Sequence, residues 1–413
     1  MNRRLLTTLI GLLAVVMVGA VAMFLATGEG RREAGGRDRA ESRFPPRAIE
    51  AAGLDDAQTE ELGWNPAGLA ALADLVARLP TDHFAIRTAD RIVLVVGDPA
   101  VAHDLHSMRK ALLSALVGLH EGAGPRQIPL DASLAELGID DAPGPLSAVQ
   151  KQATVRDLLR SRSGINHAAA AEAGLTADKD RRLGDEEKPP GTVWAYNNWD
   201  YNALTTIFER RTGLSVAEAF AEGLAAPLGM TGFAVEDVRY IVEPELSRHP
   251  AAMFRMSGAD LLRFGRLYLD QGRAGGRQVL PAAWIDRIAA EASETGIGGM
   301  RAGHGDLWWL PDPAETGLPA GSFMAWGLGQ QMLLVIPAWD SIVVHQADMG
   351  PFIDRWRAEV DGGADPEAAL EDLVTGCFDE AARATAFCRE DRFISRREFD
   401  ALIRRIVAAR IAP

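Results

Sequence analysis

Strand-like runs stand towards both ends of this sequence with a long helical stretch between them, and that order limits how the chain can close a core. Phe84–Arg87 and Arg91–Val96 are apolar and β-branched, joined through Thr88-Ala89-Asp90 as a short turn. Far along the chain, Phe323–Trp326, Gln331–Ile336 and Ser341–Gln346 read the same way. From Pro129 to about Pro244 the pattern is mainly helical, with helices predicted at Val155–Arg160, Tyr201–Arg211 and Val216–Leu224. Others are predicted at Pro66–Leu79, opened by Asn65 as N-cap, and at Ser107–His120, Ala259–Asp270, Pro281–Ala290 and Arg396–Arg410. The expectation is an α+β fold: an antiparallel sheet completed by both chain ends and flanked by helices, with a mostly helical lobe at about 129–244 inserted. A cleft between two such lobes is a natural place for a site.

The 413 residues suffice for one large domain, and 47% hydrophobic with 24% charged residues is the balance of a folded globular chain. A net charge of −14 argues against a nucleic-acid partner, which needs clustered positive charge. The only lysines are Lys110, Lys151, Lys179 and Lys188, so a lysine inside a motif carries weight. Cys377 and Cys388 are too few for a structural zinc site; a disulfide between them and two separate buried thiols both remain open. At the N-terminus, Arg3 and Arg4 precede the apolar run Leu5–Ala26, about 22 residues or roughly 33 Å as a helix, enough to cross a bilayer. Ala20-Val21-Ala22 offers a cleavage pattern, but the run continues through Met23-Phe24-Leu25, so residues 1–27 are expected to be an uncleaved anchor. The Gly-, Arg- and Glu-rich stretch that follows reads as a flexible linker, 28–61, with the folded domain at 62–413.

Three constellations carry chemistry. In Ser107-Met108-Arg109-Lys110, residues three apart share a helix face, so the hydroxyl and the amine come within hydrogen-bond reach. Burial can lower a lysine's pKa until it serves as the base that a serine nucleophile needs. The spacing alone is weak, but it opens a helix just after a strand pair, where backbone N–H groups favour negative charge. Tyr196-Asn197-Asn198 follows a constrained Pro189-Pro190-Gly191 loop; Tyr196 could relay a proton and Asn198 position substrate, although packing is the commoner role of a loop aromatic. Ala325-Trp326-Gly327-Leu328 ends a strand, and its glycine serves equally a tight bulge or the close approach of a backbone or ligand. His103, His106 and His120 surround the first constellation without a metal-ligand spacing, and His106 reads as a pocket wall. Asp391-Arg392-Phe393-Ile394-Ser395 lacks the early acidic residues of a calcium loop. No metal or cofactor is expected.

In this order the three resemble the Ser-x-x-Lys, Tyr-x-Asn and Lys-Thr-Gly motifs of class C β-lactamases, D-alanyl-D-alanine carboxypeptidases and related esterases. Ala153-Thr154-Val155-Arg156-Asp157-Leu158-Leu159 through Ser163-Gly164, Pro227-Leu228-Gly229-Met230, and Arg255-Met256-Ser257-Gly258-Ala259-Asp260-Leu261 are similar to the branch containing 6-aminohexanoate-dimer hydrolase. The resemblance covers about Gly63 to Gln346 plus the last helix. It implies Ser107 as nucleophile, Lys110 as its base, Tyr196 as a second proton-transfer group and Asn198 as a substrate contact. Trp326, Gly327 and Leu328 would line the substrate, with the backbone N–H groups of Ser107 and Leu328 as the oxyanion hole. It further implies a small ester or amide as substrate and a domain on the periplasmic side of a bacterial inner membrane. Two departures stand out. Ala325-Trp326 replaces the family's cation, which implies an uncharged or weakly charged substrate, and 351–395 has no family counterpart. The rival readings are a cell-wall D,D-peptidase or β-lactamase, and a non-catalytic domain binding peptidoglycan or protein.

Overall fold

The computed structural model describes residues 49–411 other than 52, 123, 173–175, 365–368 and 370–393. The apolar run Leu5–Ala26, Cys377 and Cys388 lie outside the described residues. Among the described residues no helix is long and apolar enough to cross a membrane.

The main sheet has nine strands, each neighbouring pair antiparallel. From one edge, β1 (Ile49–Ala51) pairs with β3 (Arg91–Val96), and β3 with β2 (His83–Thr88). β14 (Ser341–Gln346), β13 (Gln331–Ile336) and β12 (Phe323–Gly327) follow. Short strands β11 (Trp308–Leu310), β10 (Gly303–Gly305) and β9 (Ser293–Glu294) form the far edge. The two chain ends therefore meet at the β2–β14 seam, where Thr88 faces Ser341 and His83 faces Gln346. A smaller sheet joins β4 (Ala102–Asp104), β6 (Ala251–Ser257) and β5 (Val238–Ile241), and β7 (Arg273–Ala274) with β8 (Arg277–Gln278) makes a hairpin.

Every residue of β13 and β14 is buried, which requires cover on both faces of the sheet. On one face Gly265 of a helix over Gly258–Leu269 brings that backbone against the Leu333 and Ile342 side chains. On the other, Trp64 donates to Thr88 Oγ1 at 2.8 Å, next to helix α1 (Pro66–Arg78), whose N-cap Asn65 accepts from Gly68 N–H. Helix α2 (Arg109–Leu119) is buried from Arg109 to Gly118, so it runs through the centre of the molecule. α3 (Val155–Leu159) packs on α4 (Asn198–Thr212), and α4 and α5 (Val216–Phe220) pack on α2. The Gly258–Leu269 helix is α6, followed by α7 (Ala282–Ala290), α8 (Gly350–Asp361) and α9 (Arg396–Ala408).

The α+β class and the antiparallel sheet completed by both chain ends are as the sequence predicts. Several boundaries differ. The tether expected to reach residue 61 ends earlier: Ile49–Ala51 is the sheet's edge strand, and Asp56–Glu61 is a helix opened by an Asp55–Gln58 capping box. A three-residue strand is too short to show a hydrophobic period. The same reason hides β9, β10 and β11. Helix α4 starts three residues before Tyr201, because Asn197 supplies the cap to the N–H of Trp199. Helix α2 begins at Arg109, and a 3-10 turn over His106–Met108 precedes it.

Candidate active site

The 3-10 turn sets the first side chain. β4 ends at Asp104, and His106 takes φ 48°, a left-handed conformation that non-glycine residues rarely adopt. That sharp turn delivers Ser107 directly before the buried helix. Lys110 lies one turn further on, and its Nζ donates to Ser107 Oγ at 2.8 Å. Lys110 is 3% exposed and makes no ion pair among the described residues. Its Nζ sits 4.9 Å and 5.0 Å from the ring centroids of Tyr196 and Tyr201. Those ring faces favour an ammonium by about 0.5–2 kcal/mol. Burial and the adjacent Arg109 guanidinium act the other way and prevail, holding the lysine pKa well below 10.5. Arg109 is itself buried, with Asn202 Oδ1 at 3.1 Å as its hydrogen-bond acceptor.

Tyr196 arrives from a loop tied at several points. Gly191 adopts φ 79°, its carbonyl accepts from Arg162 Nε at 2.9 Å, and Ala195 N–H donates to Ser161 O at 3.0 Å. Asn197 caps α4 and donates its Nδ2 to Ile165 O at 2.7 Å. Tyr196 stacks on Trp309 with centroids 5.4 Å apart and meets the Tyr201 ring edge-on. Burial raises its pKa to about 12, against a hydrogen bond with Ser107 and the charges of Arg109 and Arg301. Asn198, the first residue of α4, is buried, and its side chain has no hydrogen bond among the described residues.

β12 forms the opposite wall. A Cβ on Gly327 would lie 2.3 Å from Leu105 O and 3.2 Å from Ser107 N. Its backbone is extended, at φ −135°, so it is space rather than conformation that demands glycine here. Leu328 follows, half-exposed, before Gly329 and Gln330 turn the chain into β13 at φ 75° and 60°. Ala325 is buried, and Trp326 donates Nε1 to Gln330 Oε1 at 2.8 Å. The Arg301 guanidinium lies 4.9 Å over the Trp326 ring and 5.9 Å from that of Trp309. Ser107, Lys110 and Tyr196 thus converge, Gly327 borders Ser107, and Trp326 and Leu328 flank Gly327.

Residues 98–347 match the β-lactamase family. The chain belongs to that family. It is 27% identical over 267 residues to the 6-aminohexanoate-dimer hydrolase of Paenarthrobacter ureafaciens, covering 60% of this chain and 66% of that one. It is 24% identical over 216 residues to an uncharacterised protein of Alkalihalophilus pseudofirmus, covering 48% of this chain and 64% of that one. The chain thus spans just under two thirds of these curated relatives. A provisionally assigned β-lactamase of Bacteroides dorei shares the fold at a TM-score of 0.50 and 16% identity, over 69% of this chain and 91% of that one.

Measured against the β-lactamase-family motifs, sequence reasoning missed four residues at this site. Tyr201 and Ser161 share a hydrogen bond of 2.7 Å, and Ser161 Oγ lies 3.5 Å from His304 Nδ1, which forms a string behind Lys110. Burial is the main cause that lowers the His304 pKa to about 3, so this imidazole is neutral. Ser161 sits at φ 56°, and its place in the family-like Ser161-Arg162-Ser163-Gly164 stretch was a usable signal. The fourth is Arg301, in the turn Gly299–Arg301, for which the sequence offers no signal: its partners lie on β11 and β12.

Proposed function

We propose that this protein cleaves a small ester or amide through an acyl-enzyme on Ser107. The observation that carries the reading is the 2.8 Å hydrogen bond between Ser107 and a lysine that burial and Arg109 hold towards its neutral form. Neutral Lys110 takes the hydroxyl proton as Ser107 Oγ bonds to the substrate carbonyl carbon. The resulting oxyanion accepts from the backbone N–H groups of Ser107 and Leu328; the approach of Gly327 to Ser107 N supports this pairing. As the tetrahedral centre collapses, the proton on Lys110 passes by way of Tyr196 to the departing alkoxide or amine. Water then attacks the acyl-enzyme with the same groups in reverse roles. Asn198, Trp326, Gly327 and Leu328 border the substrate, and no step requires a metal or organic cofactor.

The apolar run Leu5–Ala26 supports tethering of the domain to the outer side of a bacterial inner membrane, which protease digestion of spheroplasts against intact cells would test. The chemical test is labelling of the detergent-solubilised full chain with a fluorophosphonate, followed by intact mass. One adduct is expected on the wild type and none on Ser107→Ala; undiminished labelling of Ser107→Ala would overturn the assignment. Fluorescent penicillin in parallel separates the D,D-peptidase rival, which predicts a lasting penicillin adduct.

A further inference from the structure

We infer that Arg301 is the charged contact of the substrate pocket and that the substrate carries a carboxylate. This rests on the reading of Ser107 as nucleophile. Position comes first. Trp326, beneath the guanidinium, precedes Gly327, which lies against the Ser107 backbone, while Trp309 is stacked on Tyr196. The cation therefore shares a wall with both chemical groups.

Its surroundings come second. Arg301 is half-buried, yet its guanidinium has neither an ion pair nor a hydrogen bond among the described residues. Asp178 and Asp400 act on it from beyond ion-pair distance, and Arg396 opposes them. Asp178 is already held by Arg181 and Arg182. A guanidinium held over an indole by a cation–π contact, with no hydrogen bond of its own, keeps its N–H fork free to take a carboxylate through two hydrogen bonds.

Alanine at position 325 leaves β12 without a cation, which from sequence implied an uncharged or weakly charged substrate. The structure supplies the charge from another element, so the expectation reverses. A purely structural clamp between the Gly299–Arg301 turn and β12 is the competing role, and it predicts no dependence on substrate charge.

The test uses ester pairs that differ only in a free carboxylate or its methyl ester, in the acyl chain (p-nitrophenyl glutarate) or the leaving group (4-acetoxybenzoate). The wild-type full chain should favour the free acid of at least one pair. Arg301→Gln should lose about 10- to 100-fold more kcat/KM on that acid than on its methyl ester. Arg301→Lys should keep part of the preference. Equal losses on both members, or no wild-type preference, would overturn the inference. A binding arm separates it from the catalytic reading: Ser107→Ala protein should bind glutarate monoanilide by calorimetry, and Ser107→Ala/Arg301→Gln should not. Binding that is indifferent to Arg301 overturns the carboxylate contact, whereas failure to hydrolyse any ester overturns the hydrolase reading alone.

Discussion

On the proposed mechanism, the single buried position Lys110 sets both activity and stability. Its pKa lies well below 10.5 in the folded protein, so kcat/KM should rise with pH as the ammonium deprotonates, with a midpoint below the ordinary lysine range. Lys110→Arg keeps a cation that cannot deprotonate, and kcat should fall by roughly 10²- to 10⁴-fold. Stability moves the other way. Near neutral pH the unfolded lysine holds a proton that the folded one tends to lose, so the unfolded state binds more protons and folding is disfavoured. Lys110→Met should therefore be inactive yet melt at a higher Tm, a pairing that calorimetry and an ester assay check together. The Ser107–Lys110 relation was legible in the sequence because it is local, three residues apart across the 3-10 turn and the start of α2. The strained His106 turn was not, since nothing in Leu105-His106-Ser107 marks a left-handed residue.

Between elements, the decisive contact is strand β12 against the turn that bears Ser107. In Gly327→Ala the added Cβ would meet Leu105 O at 2.3 Å, and backbone cannot give way as a flexible side chain can. Such overpacking costs about 1–3 kcal/mol. The displaced atoms are those around the Ser107 N–H, so kcat should drop by at least about tenfold while the protein still folds. Steady-state kinetics beside a thermal melt would show it. The central strands β2, β3, β12, β13 and β14 were readable to within about two residues because they are apolar and flanked by turns. The three-residue strands were not, for want of a period. Arg301 belongs with them, because its link to Trp326 is made by folding and not by spacing.

Across the whole molecule, Asp141 ties together segments far apart in sequence. Its buried carboxylate accepts from Trp199 Nε1 at 2.6 Å and Ser247 Oγ at 2.8 Å, and it pairs with His167 Nδ1 at 3.0 Å. Burial alone would raise its pKa; the hydrogen bonds from His167, Ser247, Trp199 and the Ala142 N–H outweigh that and hold it well below the usual carboxylate range. A depressed pKa contributes stability that is present above the unfolded value and lost as pH falls. Asp141→Asn should cost about 2–4 kcal/mol at pH 7, and its deficit in Tm should shrink as the pH drops below about 4. No sequence pattern marks Asp141, because its partners come from three separate stretches of chain.

The β2–β14 seam also sets the order in which activity can arise. Ser341–Gln346 pairs with residues some 250 positions earlier, and β12, which walls the nucleophile, lies on the far side of that junction. Closing so long a loop is entropically slow, and contacts of this separation form late in folding. A nascent chain released only as far as α4 already contains Ser107, Lys110 and Tyr196 but no wall beside Ser107. On the proposed mechanism, Ser107 stays unarmed during synthesis, and activity switches on only once the last strands have docked.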